Sequence, residues 1–137
     1  MTPAPIQQWH AYMDTLDAAT LKDLLTEDVV FESPVVHSPQ VGRPITMKYL
    51  LGAAAVLNND SFHYENEWYS ETGAVLEFVT VIDGIKVNGV DIIHWTEAGK
   101  IDHFKVMVRP LKAINMLHQK MGEMLQSMGE PAAATRP

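Results

Sequence analysis

The amino-acid sequence predicts an α+β fold, with helices segregated against one face of a curved antiparallel sheet. Three observations lead there. Near the start, Ile6, Trp9, Tyr12, Met13 and Leu16 recur at three- and four-residue spacing, the mark of one buried helical face. From Ser61 onward the apolar period changes to two. Within Ile85 to Pro110, Val87, Gly89, Asp91, Ile93 and Trp95 occupy alternate positions and so share one side of a strand.

Each element has a local reason. The first helix opens at Thr2 or Pro3, and Asp17 is placed to cap a second, Ala18 to Leu25, whose apolar side is Leu21, Leu24 and Leu25. Val29 to Ser33 is β-branched and aromatic enough for a strand. Pro34 and Pro39 keep PVVHSPQVGR in irregular extended structure. Pro44 fits the first turn of a third helix, Pro44 to Leu57, with Ile45, Tyr49, Leu50, Ala53 and Leu57 inward. Ser61 to Tyr69 then sets Phe62, Tyr64, Asn66 and Trp68 against His63, Glu65, Glu67 and Tyr69. Ala74 to Ile82 sets Leu76, Phe78 and Thr80 against Val75, Glu77, Val79 and Val81. Asp83-Gly84 is a hairpin signal into Ile85, and TEAGK is a turn into a last strand, Lys100 to Arg109. A final helix, Leu111 to Met128, lines up Leu111, Ile114, Leu117, Met121, Met124 or Leu125, and Met128, a stripe suited to core or subunit packing. Residues 1–128 form one domain, and residues 129–137 are expected to be a flexible tail.

Composition narrows the function. A chain of 137 residues buries about two-thirds of its unfolded surface around one core. The formal charge of −7 and the absence of a basic run argue against nucleic acid or an anionic membrane as partner. There is no cysteine, which excludes disulfides, thiolate catalysis and cysteine-based zinc sites and is compatible with the cytoplasm. No stretch reaches the ~18 apolar residues of a membrane span. MTPAPIQQWH lacks the basic start and apolar core of a secretory signal, so a cytoplasmic protein is expected. The histidines show no metal-site spacing, and neither metal nor cofactor is expected.

Asp91 is the leading candidate for chemistry. A lone carboxylate on an apolar strand face is unfavourable unless neutralised, paired or solvated, and burial raises its pKa towards the range useful for proton transfer. The other reading is an acid satisfied by backbone or Trp9 and serving structure alone. Glu32 and His37 flank the proline-rich loop. Glu32 should point away from the side of Ser33, because strand neighbours alternate. His37 has an ordinary pKa near neutrality, but a loop histidine is usually just solvated. His94 and His103 fall on the sheet face opposite Asp91, where interface packing suits them. Tyr12, Tyr49, Tyr64, Trp68 and Trp95 suit a wall or core.

The order of elements, with LLTEDVVFESP leading to VGRP and with DIIHWTEAGKI, resembles the nuclear transport factor two-like superfamily. The likeness is to its SnoaL-like small-molecule branch, which includes ketosteroid isomerases, limonene epoxide hydrolases and polyketide cyclases. It runs from about Ile6 to Arg109. The resemblance implies a cone-shaped α+β barrel, with helices packed on the concave face of a curved, mainly antiparallel sheet and an extra C-terminal helix. It also implies an apolar pocket for a small hydrophobic molecule, and a homodimer formed through the other sheet face. On this reading Asp91 is the catalytic acid, and Trp9, Tyr12, Ser33, His37, Tyr49, Phe78, Trp95, Phe104 and Val106 bind the substrate.

The family chemistry carries over only in part. The isomerases' general base precedes the proline of the first-strand motif, where this chain has Ser33. Their oxyanion-binding tyrosine falls on Trp9, whose indole donates a hydrogen bond but cannot transfer a proton. Their third group is an acid on the penultimate strand, kept protonated by its apolar surroundings, and its position falls on Asp91. For the epoxide hydrolases, the arginine and second aspartate fall near Gly89 and on Val106, so both are missing. A cyclase-type acid–base carboxylate would again be Asp91. Two readings stay open: an acid–base enzyme of isomerase, cyclase or hydrolase type on a hydrophobic oxygenated substrate, or a non-catalytic binding or dimerisation module.

Overall fold

The computed structural model describes residues 1–128; the expected tail, 129–137, lies outside the described residues. The first helix, α1 (Ala4–Thr15), ends where Leu16 turns into the left-handed region at φ 55. Asp17 caps α2 (Ala18–Leu24) as expected, its carboxylate accepting from the Thr20 N–H at 3.3 Å and the Thr20 hydroxyl at 2.8 Å. β1 (Leu25–Glu32) starts four residues earlier than Val29, directly from the end of α2. The proline-rich segment contains a two-residue strand, β2 (Gln40–Val41), paired with β1. Then come α3 (Arg43–Leu57), β3 (His63–Tyr69), β4 (Gly73–Ile82), β5 (Ile85–Trp95), β6 (Ile101–Arg109) and α4 (Leu111–Ser127).

The six strands form one open sheet in the order β2-β1-β6-β5-β4-β3, antiparallel except for the β1–β6 pair, which is parallel. The β4–β5 hairpin turns on Asp83 and Gly84, both with positive φ (52 and 76), which suits a tight hairpin that follows the strand twist. Its register fixes the inner face. Ala74, Ile93 and Phe104 lie in one row across β4, β5 and β6; Leu76, Asp91 and Val106 form the next; Phe78, Gly89 and Val108 the third. Helices α1 and α3 cover the first two rows, α4 with the end of α3 packs on the third, and Leu76, Ile93 and Phe104 are buried. Each such side chain contributes about 1.5–3 kcal/mol through burial.

Two expectations need correction. The alternation assumed for Ser61 to Tyr69 breaks, because the β3–β4 register shifts between Tyr64 and Asn66. Tyr64 pairs with Phe78 on the inner side, but Asn66 pairs with Glu77 and Trp68 with Val75, so Asn66 and Trp68 face outward and Glu67, opposite Leu76, faces inward. Trp68 is 55% exposed. In α4 the buried stripe is Ala113, Leu117, Met121 and Leu125, a strict four-residue spacing. Leu111, placed on that stripe by the sequence, is exposed, since it stands two residues before buried Ala113 and so about 200° round the helix from it.

Candidate active site

Asp91 sits at the centre of β5 on the concave face, between Leu76 and Val106. It is only 6% exposed. A tyrosine from the edge strand reaches it: the Tyr64 hydroxyl donates to Asp91 Oδ2 at 2.7 Å. The Trp9 indole N–H, from α1, in turn donates to the Tyr64 oxygen at 2.9 Å. The indole therefore occupies an acceptor site on the phenol and leaves its single proton for the carboxyl. Trp9, Tyr64 and Asp91 thus form one directed chain from a helix, an edge strand and a central strand. Among the described residues Tyr64 is the only side chain that hydrogen-bonds Asp91.

The carboxyl faces a cavity of about 70 Å³ whose walls include Trp9, Met13, Phe31, Ser33, Tyr49, Leu50, Tyr64, Phe104, Val106, Leu117 and Met121. Among the described residues that line it, Asp91 is the one charged side chain. Burial raises the Asp91 pKa from 3.8 to about 7, against a smaller lowering by the Tyr64 hydrogen bond. Burial, then the neighbouring Asp91 charge, push the Tyr64 phenol well above its ordinary value, so it stays a donor. Near neutral pH the carboxyl can therefore hold or release a proton, with Oδ2 anchored and Oδ1 left for a ligand. An apolar cavity of about 150 Å³ binds benzene. A ligand of that size or larger needs the walls here to yield, and Met13 and Met121 supply flexible, unbranched side chains.

Of the residues expected around the pocket, Trp9, Ser33, Tyr49, Phe104 and Val106 line this cavity with Asp91. Tyr12, Phe78 and Trp95 do not. Tyr12 is fully buried against Trp9, Phe78 stacks on Phe62, and the Trp95 indole donates to the Glu71 carbonyl at 3.0 Å. His37 is exposed and borders an open cleft outside the Ser33–Val35 segment. Glu32 faces outward, as alternation requires, with His103 Nε2 at 2.6 Å and Lys105 Nζ at 3.6 Å. His94 also lies outward, its Nδ1 2.6 Å from Asp102. No group of three or more His, Asp or Glu side chains able to hold a metal ion occurs among the described residues. The residue that sequence reading undervalued is Tyr64. Its inward phase was legible, but its bond to a residue two strands away depends on pairing that no local pattern encodes.

A steroid delta-isomerase from Pseudomonas aeruginosa superposes with a TM-score of 0.86 at 33% identity, over 91% of each chain. The chain belongs to the nuclear transport factor two-like superfamily, in its SnoaL-like branch. A protein with a cystatin-like fold from Silicibacter pomeroyi matches at 25% identity and a TM-score of 0.85, covering 92% of this chain and 88% of that one. The fold extends to SalBIII, an epoxide hydrolase/cyclase-like enzyme in pyran ring formation of the polyether salinomycin, at 17% identity and a TM-score of 0.60 over 77% of this chain and 90% of that one. No protein-family model matches the chain, and no curated protein sequence matches it.

The positions where the sequence departs from the motifs of the families it resembles have local physical reasons. The Ser33 hydroxyl accepts from the Val35 N–H at 3.1 Å, which commits it to shaping the loop. At Gly89 an added Cβ would stand 2.5 Å from the Phe78 ring and 2.8 Å from the Met107 carbonyl, so no arginine fits there without moving that ring. Val106, paired with Asp91, keeps the last strand's inner row apolar.

Proposed function

We propose that the protein is a cofactor-independent acid–base enzyme, of isomerase, cyclase or hydrolase type, acting on a small, uncharged, hydrophobic oxygenated molecule such as a polyketide, terpenoid or steroid-like compound. The observation that carries the reading is Asp91, a buried carboxyl on an apolar cavity whose pKa burial lifts to about 7. In its neutral form Asp91 donates its proton to a ligand oxygen. In its ionised form it accepts one, while the Tyr64 hydroxyl steadies the charge. An anion finds no cation to pair with among the described lining residues, and a cation would hold Asp91 ionised and withdraw the proton that it donates, so the substrate is uncharged. Hydrophobicity follows from the rest of the wall, and a cytoplasmic setting fits a chain without cysteine.

The experiment is solvent deuterium exchange by NMR across a panel of cyclic ketones and epoxides, with wild type and Asp91→Asn. Wild type should wash deuterium into, or open, at least one class, and Asp91→Asn should do neither. Binding without turnover across the panel would instead support the second reading, a non-catalytic binding module. That reading draws on Ser33 and Val106, which supply no second catalytic group.

We propose as well that two copies pair through the outer sheet face, where Trp68, Val81 and Met107 are exposed and Val75, Val90 and Ile92 are half-buried. Sedimentation should show a dimer at micromolar concentration; a strict monomer would remove the proposal.

A further inference from the structure

The register shift in β3 places one residue extra, Glu65, between Tyr64 and Asn66. In an unbroken strand, residues three apart face opposite sides of the sheet. Here Tyr64 pairs with Phe78 and Glu67 with Leu76, both on the inner row of β4, so the two side chains share a face. Such bulges re-aim side chains beside functional sites. The residue that Glu67 meets is His10, one position after Trp9 on α1. His10 Nε2 lies 2.9 Å and 3.1 Å from the two Glu67 oxygens, and the Tyr69 hydroxyl donates to Glu67 Oε1 at 2.5 Å.

The clamped imidazole stands edge-on to the Tyr64 ring, with centroids 5.5 Å apart and planes at 64°. Phe62 meets the same ring at 5.3 Å and 83°, and Phe78 at 6.5 Å and 84°. The phenol is therefore boxed by three rings, and the hydroxyl it carries is the only side-chain partner of Asp91 among the described residues. This pair is more than a surface contact: the Glu67 side chain is only 19% exposed and His10 35%, and they tie α1 to the bulged edge strand.

We propose that His10 and Glu67 are positioning residues of the Asp91 site, a brace built by the Glu65 bulge to keep the Tyr64 hydroxyl on the carboxyl. The brace concerns the site whose reaction is proposed above, but its test reads the carboxyl itself and stands apart from the identity of the substrate. The titratable side chains to be considered are few: Tyr49 and Tyr64 share the cavity with Asp91, and His10, Glu67 and Tyr69 stand behind Tyr64.

The experiment is a carbon-13 NMR titration of the Asp91 carboxyl in wild type, Tyr64→Phe, His10→Ala and His10→Phe. Because the Tyr64 bond favours the ionised form, freeing the phenol raises the carboxyl's proton affinity. Tyr64→Phe sets the full upward shift against which the other variants are read. His10→Ala should move the midpoint a large part of that way and shift the Trp9 indole N–H resonance. His10→Phe keeps a ring edge against Tyr64 but loses the Glu67 clamp, and should restore part of both. A shift of equal size in both His10 variants would mean that the ring edge against Tyr64 does not hold the phenol and would overturn the brace, as would a wild-type midpoint in His10→Ala. If His10→Ala fails to fold, Glu67→Ala takes its place. Loss of that anion alone lowers the carboxyl's proton affinity, so an upward shift supports the brace and a downward or absent one overturns it.

Discussion

Asp91 on β5 and Glu32 on β1 are carboxylates of the same sheet, yet their surroundings differ in kind. Glu32 faces outward, 30% exposed, with a histidine and a lysine beside it and water to share its charge. Asp91 faces inward, nearly sealed, with one phenol for company. The difference teaches how burial alters the proton affinity of a strand acid. A buried acid without a cation has its pKa lifted to about 7, where both protonation states are accessible.

The largest expected effects test whether that difference is chemical. Asp91→Asn should lower turnover of the substrate by ~10²-fold or more, measured on whichever compound the deuterium panel identifies. It should also flatten stability against pH. The folded carboxyl is lifted to about 7 from an ordinary 3.8, so between those values the native state holds a proton that the unfolded chain has released. Wild-type stability therefore falls as pH climbs through that window and levels off above it. Urea melts from pH 4 to 8 should show this slope in wild type and not in Asp91→Asn. If the substitution instead destabilises the fold strongly at pH 7 while ligand binding survives, Asp91 is a structural acid like Glu32.

A second test moves an acid one residue past the end of β1, from the outward side of Glu32 to the cavity wall at Ser33. Wild type should isomerise a 5-ene-3-ketosteroid very weakly, since the family's base is absent. Ser33→Asp should raise that rate by ~10²-fold or more, while its carboxylate can still accept from the Val35 N–H. A wild-type rate already typical of an enzyme would mean that another group serves as base.

A smaller effect is expected from Tyr64→Phe. It removes the one hydrogen bond to Asp91 and strands the Trp9 indole, which should destabilise the protein by about 1–3 kcal/mol in urea melts. Smallest of all is Glu32→Gln. The exposed pairs with His103 and Lys105 are worth at most about 1 kcal/mol, and ligand binding in the cavity should not change by isothermal titration. A large loss of binding in Glu32→Gln would erase the distinction between the two acids.

By itself the sequence determined the parts governed by short-range rules. The two-residue period put Val87, Asp91, Ile93 and Trp95 on one face, because side-chain direction in a strand depends only on position in the pleat. Asp17 announced its cap and Asp83-Gly84 its turn, because both act within a few residues of chain. The tertiary structure alone decided what depends on pairing. The bulge at Glu65 arises from how β3 lies on β4, so nothing within Ser61 to Tyr69 betrays that Glu67 turns inward and Trp68 outward. The partner of Asp91 is Tyr64, 27 residues away, brought there by strand order and by the indole of α1. Tyr12, Phe78 and Trp95 are buried as their apolar character requires. Whether a buried ring meets the cavity or another ring is settled by packing in three dimensions, which composition and period do not carry.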